Sequence, residues 1–271
     1  MSQMIRPQGL SHLWGNRKAL IGMVHLLPLP GAPRWGGSMA KVLDRAMADA
    51  DALASGGVDG ILVENFLDAP FFAEGVPPET VAAMAAVVSS VVAASPVPVG
   101  VNVLRNDARA ALGIAVATGA AFIRINVHTG VMWTDQGMIE GRAADTLRHR
   151  ASLDADVAIL ADVLVKHATP PPGLTLERSA SDAWTRGLAD ALVVTGAGTG
   201  QPTDLEGVSG VRRGAPHAPI LVGSGVTPQN IAAVLTAADG AIVGTSLTKG
   251  GLAGSGVDLA RVRALVAERP D

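Results

Sequence analysis

Eight short apolar runs alternate with eight segments of helical pattern, and this alternation constrains the fold more than any other feature of the chain. The runs are rich in Val, Ile and Leu and cover residues 19–26, 60–65, 97–104, 122–127, 157–164, 191–196, 219–225 and 240–247. Continuous apolar runs of this length are typical of strands buried on both faces of a parallel sheet. The helical segments cover residues 38–55, 78–94, 107–118, 141–153, 176–188, 204–213, 227–236 and 258–268. The alternation predicts an α/β fold.

Eight βα units in 271 residues match the size of a (β/α)8 TIM barrel. An open doubly wound sheet is the competing fold. We favour the barrel because the units number eight and because the last two strands end in a glycine pattern typical of phosphate sites. No shift in composition marks a second domain. Residues 1–271 are therefore predicted to form one TIM-barrel domain, with residues 1–18 as an N-terminal extension.

The composition argues against several classes of protein. A net charge of −3 does not supply the basic field of a nucleic-acid-binding protein. The absence of cysteine excludes disulfides, thiolate metal sites and a cysteine nucleophile. No apolar stretch approaches the ~18 residues of a membrane span, and the first residues lack the apolar core of a secretory signal. We expect a cytoplasmic protein without a transmembrane segment or a nucleic-acid partner, and its Ala-rich outer helices predict a homo-oligomer.

Polar side chains occur at the predicted C-terminal ends of the strands, where TIM barrels place their chemistry. The candidate catalytic residues are His25, Glu64, His128, Asp162, Lys166 and His167. The candidate substrate-binding residues are Asn65, Asn102, Arg124, Asn126 and Thr199. Carboxylates and imidazoles at such positions are typical of general acid–base catalysis, and a lysine can stabilise a developing oxyanion.

The alternation of residues in FIRINVH predicts which side chains enter the barrel. Arg124, Asn126 and His128 share one face of this strand, and the apolar residues between them share the other. The polar face is predicted to point inward, because the outer face must pack against helices. A buried Arg124 needs a carboxylate partner, either Asp162 or Glu64. We expect a cation to keep Asp162 ionised, and its role is then either catalytic or that of a structural ion pair.

The last two predicted strands end in a pattern that predicts a phosphate site. The candidate phosphate-binding residues are Gly223, Ser224, Gly225, Gly244, Thr245 and Ser246. Glycines let a ligand approach the backbone closely, and the hydroxyls and amides around them can donate to phosphate oxygens. Thr227 followed by Pro228 is predicted to begin the next helix beside this site. Ordinary turn chemistry is the alternative explanation.

Five segments of the chain strongly resemble the BtpA/SgcQ family: MVHLLPLPGAP, ILVENFLDAPF, TDQGMIEG, ADVLVKHA and TGAGTGQPTDL. The resemblance extends over residues 21–249 and implies a TIM barrel of the ribulose-phosphate-binding type. Family members are named for a role in photosystem I biogenesis, and others resemble parts of sugar-metabolism gene sets. The positions that match the family pattern are His25, Glu64, Asn65, Asp135, Gln136, Glu140, Asp162, Lys166, His167, Thr199, Gly200 and Asp204. The chain departs from that pattern at Ala197 and Gly198.

Two functions are consistent with these observations. One is an enzyme that acts on a small phosphorylated sugar or nucleoside ligand at the C-terminal mouth of the barrel. The alternative is a non-catalytic assembly or regulatory factor of the photosystem I biogenesis type. The density of ionisable groups at the strand ends favours the enzyme. No cofactor is predicted. A divalent metal held by His and carboxylate ligands is left open, although no HxH or HExxH spacing points to one.

Overall fold

The structure is a computed structural model that describes residues 10–196 and 205–270. Within these ranges eight parallel strands close into a barrel, in which each strand pairs with its neighbours in the sequence. The strands are β1 (Ala19–His25), β2 (Gly60–Glu64), β3 (Val99–Asn102), β4 (Phe122–Ile125), β5 (Ala158–Val163), β6 (Ala191–Val194), β7 (Ile220–Val222) and β8 (Gly240–Val243). The predicted TIM barrel is confirmed, since β1 pairs with β8 as well as with β2.

A helix follows each strand of the barrel. The helices are α1 (Met39–Gly56), α2 (Pro78–Ala94), α3 (Ala108–Thr118), α4 (Ala143–Ser152), α5 (Leu176–Ser181), α6 (Leu205–Gly214), α7 (Ile231–Ala237) and α8 (Leu259–Ala267). A π-helical turn over Asp182–Arg186 continues α5, and a helical turn over Ser11–Trp14 precedes β1. None of the helices in the described ranges is both long and apolar enough to cross a bilayer.

The predicted start of α7 at Thr227 is wrong, because residues 227–230 form a turn in which Asn230 takes part, and the helix begins after it. The amide of Thr227 donates to Asn230 Oδ1 at 2.8 Å, and Asn230 Nδ2 donates to the carbonyl of Gly225 at 2.8 Å. These bonds hold a turn over residues 227–230, and the helix begins at Ile231. The residues after β7 therefore form a compact loop rather than a helix N-terminus.

Inside the barrel, the aromatic ring of Phe122 fills the N-terminal part of the interior. Phe122 of β4 points inward and is fully buried, and Trp14 packs edge-on against it with ring centroids 5.5 Å apart. A Cβ at Gly100 of β3 would lie 2.2 Å from the Phe122 ring, so only glycine fits opposite it. The outward side chains of the strands pack against the helices in the larger core cluster. Inward apolar side chains form a smaller cluster around Phe122, and polar groups occupy the C-terminal half of the interior.

The opposite, N-terminal face of the barrel contains a repeated ion pair. An aspartate directly before β2, β6 and β8 accepts a hydrogen bond from an amide of the preceding strand and from an arginine. The pairs are Asp59 with Arg269, Asp190 with Arg150, and Asp239 with Arg212, each at 2.6 Å. Each arginine also donates to a backbone carbonyl just before β1, β5 or β7. These contacts tie strands and helices together far from the mouth, as expected of residues that stabilise a barrel.

The loop after β4 contains a hairpin that the sequence did not predict. Val131–Thr134 pairs antiparallel with Gly137–Glu140 and also with Ala168–Thr169, which lies in the loop after β5. The three short strands join the two loops into one small sheet beside the mouth. The residues between the predicted strand 157–164 and the predicted helix 176–188 therefore include one short strand of this sheet.

Candidate functional site

A cavity of about 880 Å³ opens at the C-terminal ends of the strands. Most of the predicted site residues line it: His25, Glu64, Arg124, Asn126, Lys166, His167, Gly223, Ser224, Gly225, Gly244, Thr245 and Ser246. Asn65, Asn102, His128 and Asp162 are buried beside or below the cavity and do not line it. Thr199 lies outside the described residues. The strand-end positions thus converge on one cavity, as expected for a TIM barrel.

Arg124 and Asp162 form a buried ion pair at the floor of the cavity. Arg124 Nε donates to Asp162 Oδ1 at 2.9 Å, and Arg124 Nη2 donates to Oδ2 at 3.0 Å. Burial alone lowers the pKa of Arg124, but attraction and hydrogen bonding to Asp162 outweigh it and raise this pKa above its usual value. Of the two predicted partners for Arg124, the structure selects Asp162. The predicted inward orientation of Arg124 is confirmed.

Asn126 completes this arrangement and leaves one acceptor in the cavity wall. Its Nδ2 donates to Asp162 Oδ2 at 2.9 Å. The amide orientation follows from chemistry, because an ionised carboxylate only accepts hydrogen bonds. The opposite atom, Asn126 Oδ1, is buried and has no donor among the described residues. A buried carbonyl oxygen without a donor costs about 1–3 kcal/mol, which a ligand donor can recover.

Glu64, at the end of β2, is held by one oxygen only. Its Oε2 accepts from Asn102 Nδ2 at 2.6 Å, and its Oε1 lies 3.9 Å from Nε2 of His25. Glu64 is buried and lines the cavity, whereas Asn102 lies behind it. Asn102 is therefore a positioning residue that fixes the carboxylate and leaves Oε1 available to a ligand.

His25, at the end of β1, lies between Glu64 and the ring of Phe66, with ring centroids 4.6 Å apart. Burial lowers the pKa of His25, and the nearby Glu64 opposes this shift only in part. The imidazole is consequently neutral at physiological pH. Its Nδ1 is buried and has no partner among the described residues.

Two cations line the wall formed by the loops after β3 and β5. Lys166 was predicted as a site residue, whereas Arg105 was missed because it lies beyond the apolar run of β3 and belongs to no recognised motif. Arg105 Nη2 donates to the carbonyl of Lys166 at 3.0 Å. Burial lowers the pKa of both side chains, and the positive charge of Arg124 lowers the pKa of Lys166 further.

His167 is the most exposed of the predicted catalytic residues. It lines the outer part of the cavity and adopts a left-handed backbone conformation with φ of +57°. Partial burial lowers its pKa, and the adjacent charges of Lys166 and Arg105 lower it further. A neutral imidazole at this edge can exchange protons with a ligand or with solvent.

The glycine rim, defined here as Gly223–Gly225 and Gly244–Ser246, follows β7 and β8 and lines the cavity. A Cβ at Gly223 would lie 2.7 Å from Val193 Cγ1 and 3.4 Å from Arg124 Nη2, and one at Gly244 would lie 3.2 Å from His25 Cε1. Side chains at these positions would therefore fill the space above the floor. The amides of Gly244, Thr245 and Ser246 find no acceptor among the described residues.

Of the four predicted residues that do not line the cavity, Asn65 and His128 contact other parts of the structure. Asn65 donates to Asp68 Oδ2 at 3.1 Å and accepts from the amide of Leu104 at 2.7 Å, so it joins the loops after β2 and β3. His128 leaves the inward face predicted for it because β4 ends at Ile125. Its Nε2 lies 2.8 Å from the carbonyl of Gly187, on the helical side of the barrel.

The arrangement combines the carboxylate of Glu64, neutral imidazoles, a glycine rim and two cations, Arg105 and Lys166, that form no ion pair among the described residues. This set can transfer protons and bind anions. Among the residues that the structure describes, no group of three His, Asp or Glu side chains is arranged to hold a metal ion.

Comparison with known proteins gives one family and one fold. The model of the BtpA family matches residues 16–269. The chain is 50% identical to the photosystem I biogenesis protein BtpA of Synechocystis sp., over 91% of this chain and 86% of that protein. It is 34% identical to the putative sgc region protein SgcQ of Escherichia coli, over 93% of this chain and 94% of that protein.

Solved structures with low sequence identity share the barrel. Thiamine phosphate pyrophosphorylase from Pyrococcus furiosus matches with a TM-score of 0.57 at 14% identity, over 93% of this chain and 95% of that one. N-(5'-phosphoribosyl)anthranilate isomerase from the same organism matches with a TM-score of 0.56 at 13% identity, over 93% and 98%. At such identities the likeness establishes the fold alone.

Proposed function

Since this chain belongs to the BtpA family, we propose that it is an enzyme that binds a small phosphorylated sugar or nucleoside ligand in the barrel mouth and catalyses acid–base chemistry on it. The observation that carries the proposal is the excess of positive charge in a cavity edged by glycine. Arg34, Arg105 and Lys166 line this cavity against the carboxylates of Glu64 and Asp135, while Asp162 balances the charge of Arg124.

The glycine rim is the proposed phosphate site. It lies after β7 and β8, where TIM barrels commonly bind phosphate. The three amides of Gly244–Ser246 supply donors, and the lack of side chains at Gly223 and Gly244 lets phosphate oxygens approach the backbone. The structural neighbours named for phosphorylated compounds carry the same barrel, which supports this position for the phosphate.

Glu64 is the proposed general base. It lines the cavity, and the hydrogen bond from Asn102 orients it while Oε1 faces the ligand space. Asp162 is a weaker candidate, since Arg124 and Asn126 occupy both of its oxygens and it does not line the cavity. Asp162 then acts through Arg124 and Asn126 as a positioning residue. Lys166 supplies positive charge close to any oxyanion that forms.

Thermal unfolding in the presence of phosphorylated metabolites tests the proposal. A ligand at a hundred times its dissociation constant stabilises the folded protein by about 2.7 kcal/mol. Gly244→Ala should reduce this stabilisation, because the added methyl group would lie in the rim beside His25. Gly113→Ala is the matched control, since a methyl group there meets no atom within 4 Å. If no phosphorylated compound stabilises the wild-type protein, or if both variants respond as it does, the phosphate site is refuted.

The 50% identity to a protein named for photosystem I biogenesis favours a second candidate, a non-catalytic assembly factor. Expression of this chain and of its Glu64→Gln variant in a Synechocystis strain that lacks the relative separates the two. Equal restoration of photosystem I by both proteins would favour the assembly role. Restoration by the wild type alone would favour the enzyme, and failure of both would count against the assembly role for this chain.

A further inference from the structure

A hydrogen bond between the loops after β3 and β5 holds Arg105 and Lys166 side by side in the lining of the cavity. In a closed ring of eight strands, β3 lies opposite β7, so Arg105 follows the strand across the barrel from Gly223. Lys166 follows β5, and its backbone carbonyl accepts the hydrogen bond from Arg105 Nη2 at 3.0 Å. This bond points the guanidinium along the cavity wall and places both cations on that wall.

Neither cation has a counter-ion among the described residues. Arg124, at the floor of the cavity, is neutralised by Asp162. Arg105 and Lys166, in the cavity wall, form no ion pair in the described ranges. Arg105 is only 7% exposed, and Lys166 is partly buried. Removing a charge from water without pairing it is costly, and two like charges in one wall repel each other as well. The lowered pKa of each side chain reflects this burial.

We propose that Arg105 and Lys166 form a second anion subsite, so that the ligand carries a phosphate at one end and a second anionic group at the other. A carboxylate and a phosphate both fit the chemistry of this subsite, because a guanidinium binds either one through paired hydrogen bonds. The inference rests on the proposed function and narrows its substrate class to phosphorylated metabolites that carry a second anionic group. The ligand would span the mouth from the glycine rim to Arg105, above Glu64 and Asn126.

A matched pair of six-carbon ligands tests the subsite by titration calorimetry on the full chain. Sorbitol 6-phosphate and 6-phosphogluconate differ at C1, where the first has a hydroxymethyl group and the second a carboxylate. Glucitol 1,6-bisphosphate adds a phosphate at that end. The wild-type protein should bind the two compounds that carry a second anionic group about tenfold or more tightly than sorbitol 6-phosphate, as expected for one charge-assisted contact.

Two substitutions test whether Arg105 and Lys166 cause this preference. Arg105→Gln and Lys166→Gln should each reduce the affinity for 6-phosphogluconate and glucitol 1,6-bisphosphate by a larger factor than the affinity for sorbitol 6-phosphate, and so reduce the preference for a second anionic group. Lys166→Gln leaves the backbone carbonyl that Arg105 contacts, so it tests the charge without removing that bond. Arg109→Gln removes the same charge from an exposed residue outside this cavity and should keep the wild-type preference. The melting temperature of each variant checks its fold.

The outcomes separate the second subsite from the proposed function. Equal binding of all three compounds by the wild type would overturn the subsite and leave the phosphate site supported. A preference for the compounds with a second anionic group that persists in both Arg105→Gln and Lys166→Gln would also overturn it. If none of the three compounds binds, and inorganic phosphate does not bind either, the phosphate site itself fails and the subsite fails with it.

Discussion

Asp162 uses both of its oxygens to hold Arg124 and Asn126, so the main effect of its replacement should be on stability. Asp162→Asn keeps the shape of the side chain but leaves Arg124 buried without a counter-charge. We expect a loss of about 3–5 kcal/mol in the free energy of unfolding, measured by denaturant titration. Glu64→Gln, which removes a carboxylate that has no cation within a short ion pair, should cost less than about 1 kcal/mol. Comparable losses for both variants would contradict this assignment.

Two buried histidines should make the stability depend on pH. Burial lowers the pKa of His25 and of His128 in the folded protein below the value of 6.5 for the unfolded chain. Between pH 6.5 and the folded pKa, the unfolded chain binds more protons, so stability is present above pH 6.5 and is lost as the pH falls. Each histidine contributes up to about 1.4 kcal/mol per pH unit in that window.

Thermal unfolding between about pH 7.5 and pH 5 measures this slope. His128→Gln should reduce the slope, since glutamine can still donate to the carbonyl of Gly187 but does not take up a proton. His12→Gln, which removes an exposed imidazole, is the matched control. A wild-type slope in the His128 variant would show that this imidazole does not titrate with unfolding.

At the scale of an element, Asp107 caps α3 and also holds the loop that contains Val76. Asp107 Oδ1 accepts from the amide of Ala110 and Oδ2 accepts from the amide of Val76, each at 2.9 Å. Asp107→Ala should therefore destabilise the protein by about 2 kcal/mol, more than the ~1 kcal/mol of an ordinary cap. Asp258→Ala is the control, since Asp258 caps α8 through Ala260 alone. Equal losses in the denaturation midpoints of the two variants would show that the loop contact contributes nothing.

Element boundaries followed the sequence where local signals decide them. The predicted segments 78–94 and 107–118 agree with α2, which begins at Pro78, and with α3, which Asp107 caps, because proline at the first turn and aspartate at the N-cap act within a few residues. The start of α7 was misplaced because residues 227–230 form a turn before the helix, closed by backbone and Asn230 side-chain bonds. The hairpin after β4 was missed because it depends partly on pairing with Ala168–Thr169, which is distant in the sequence.

At the scale of the whole molecule, the repeated aspartates of the N-terminal face should differ in strength with their burial. The Asp190 side chain is 1% exposed and its partner Arg150 is 12% exposed, whereas Asp239 and Arg212 are 44% and 35% exposed. Asp190→Ala should cost about 3–5 kcal/mol of unfolding free energy, because it leaves a buried arginine unpaired. Asp239→Ala should cost about 1 kcal/mol, because solvent screens that pair. A reversed order in equilibrium unfolding would contradict the ranking.

The sequence by itself determined the barrel, the order of its strands and the strand ends that meet at the mouth. The signals for these features are short-range: continuous apolar runs, local caps, and the alternation of Arg124 and Asn126 along one strand. Burial of the strands on both faces directly requires the apolar runs. Only the tertiary structure decided that Asp162 pairs with Arg124 while Glu64 keeps an oxygen open, and that Arg105 joins Lys166 in the lining of the cavity. These outcomes depend on which side chains of non-adjacent strands meet around the axis, and no pattern within one strand records that geometry.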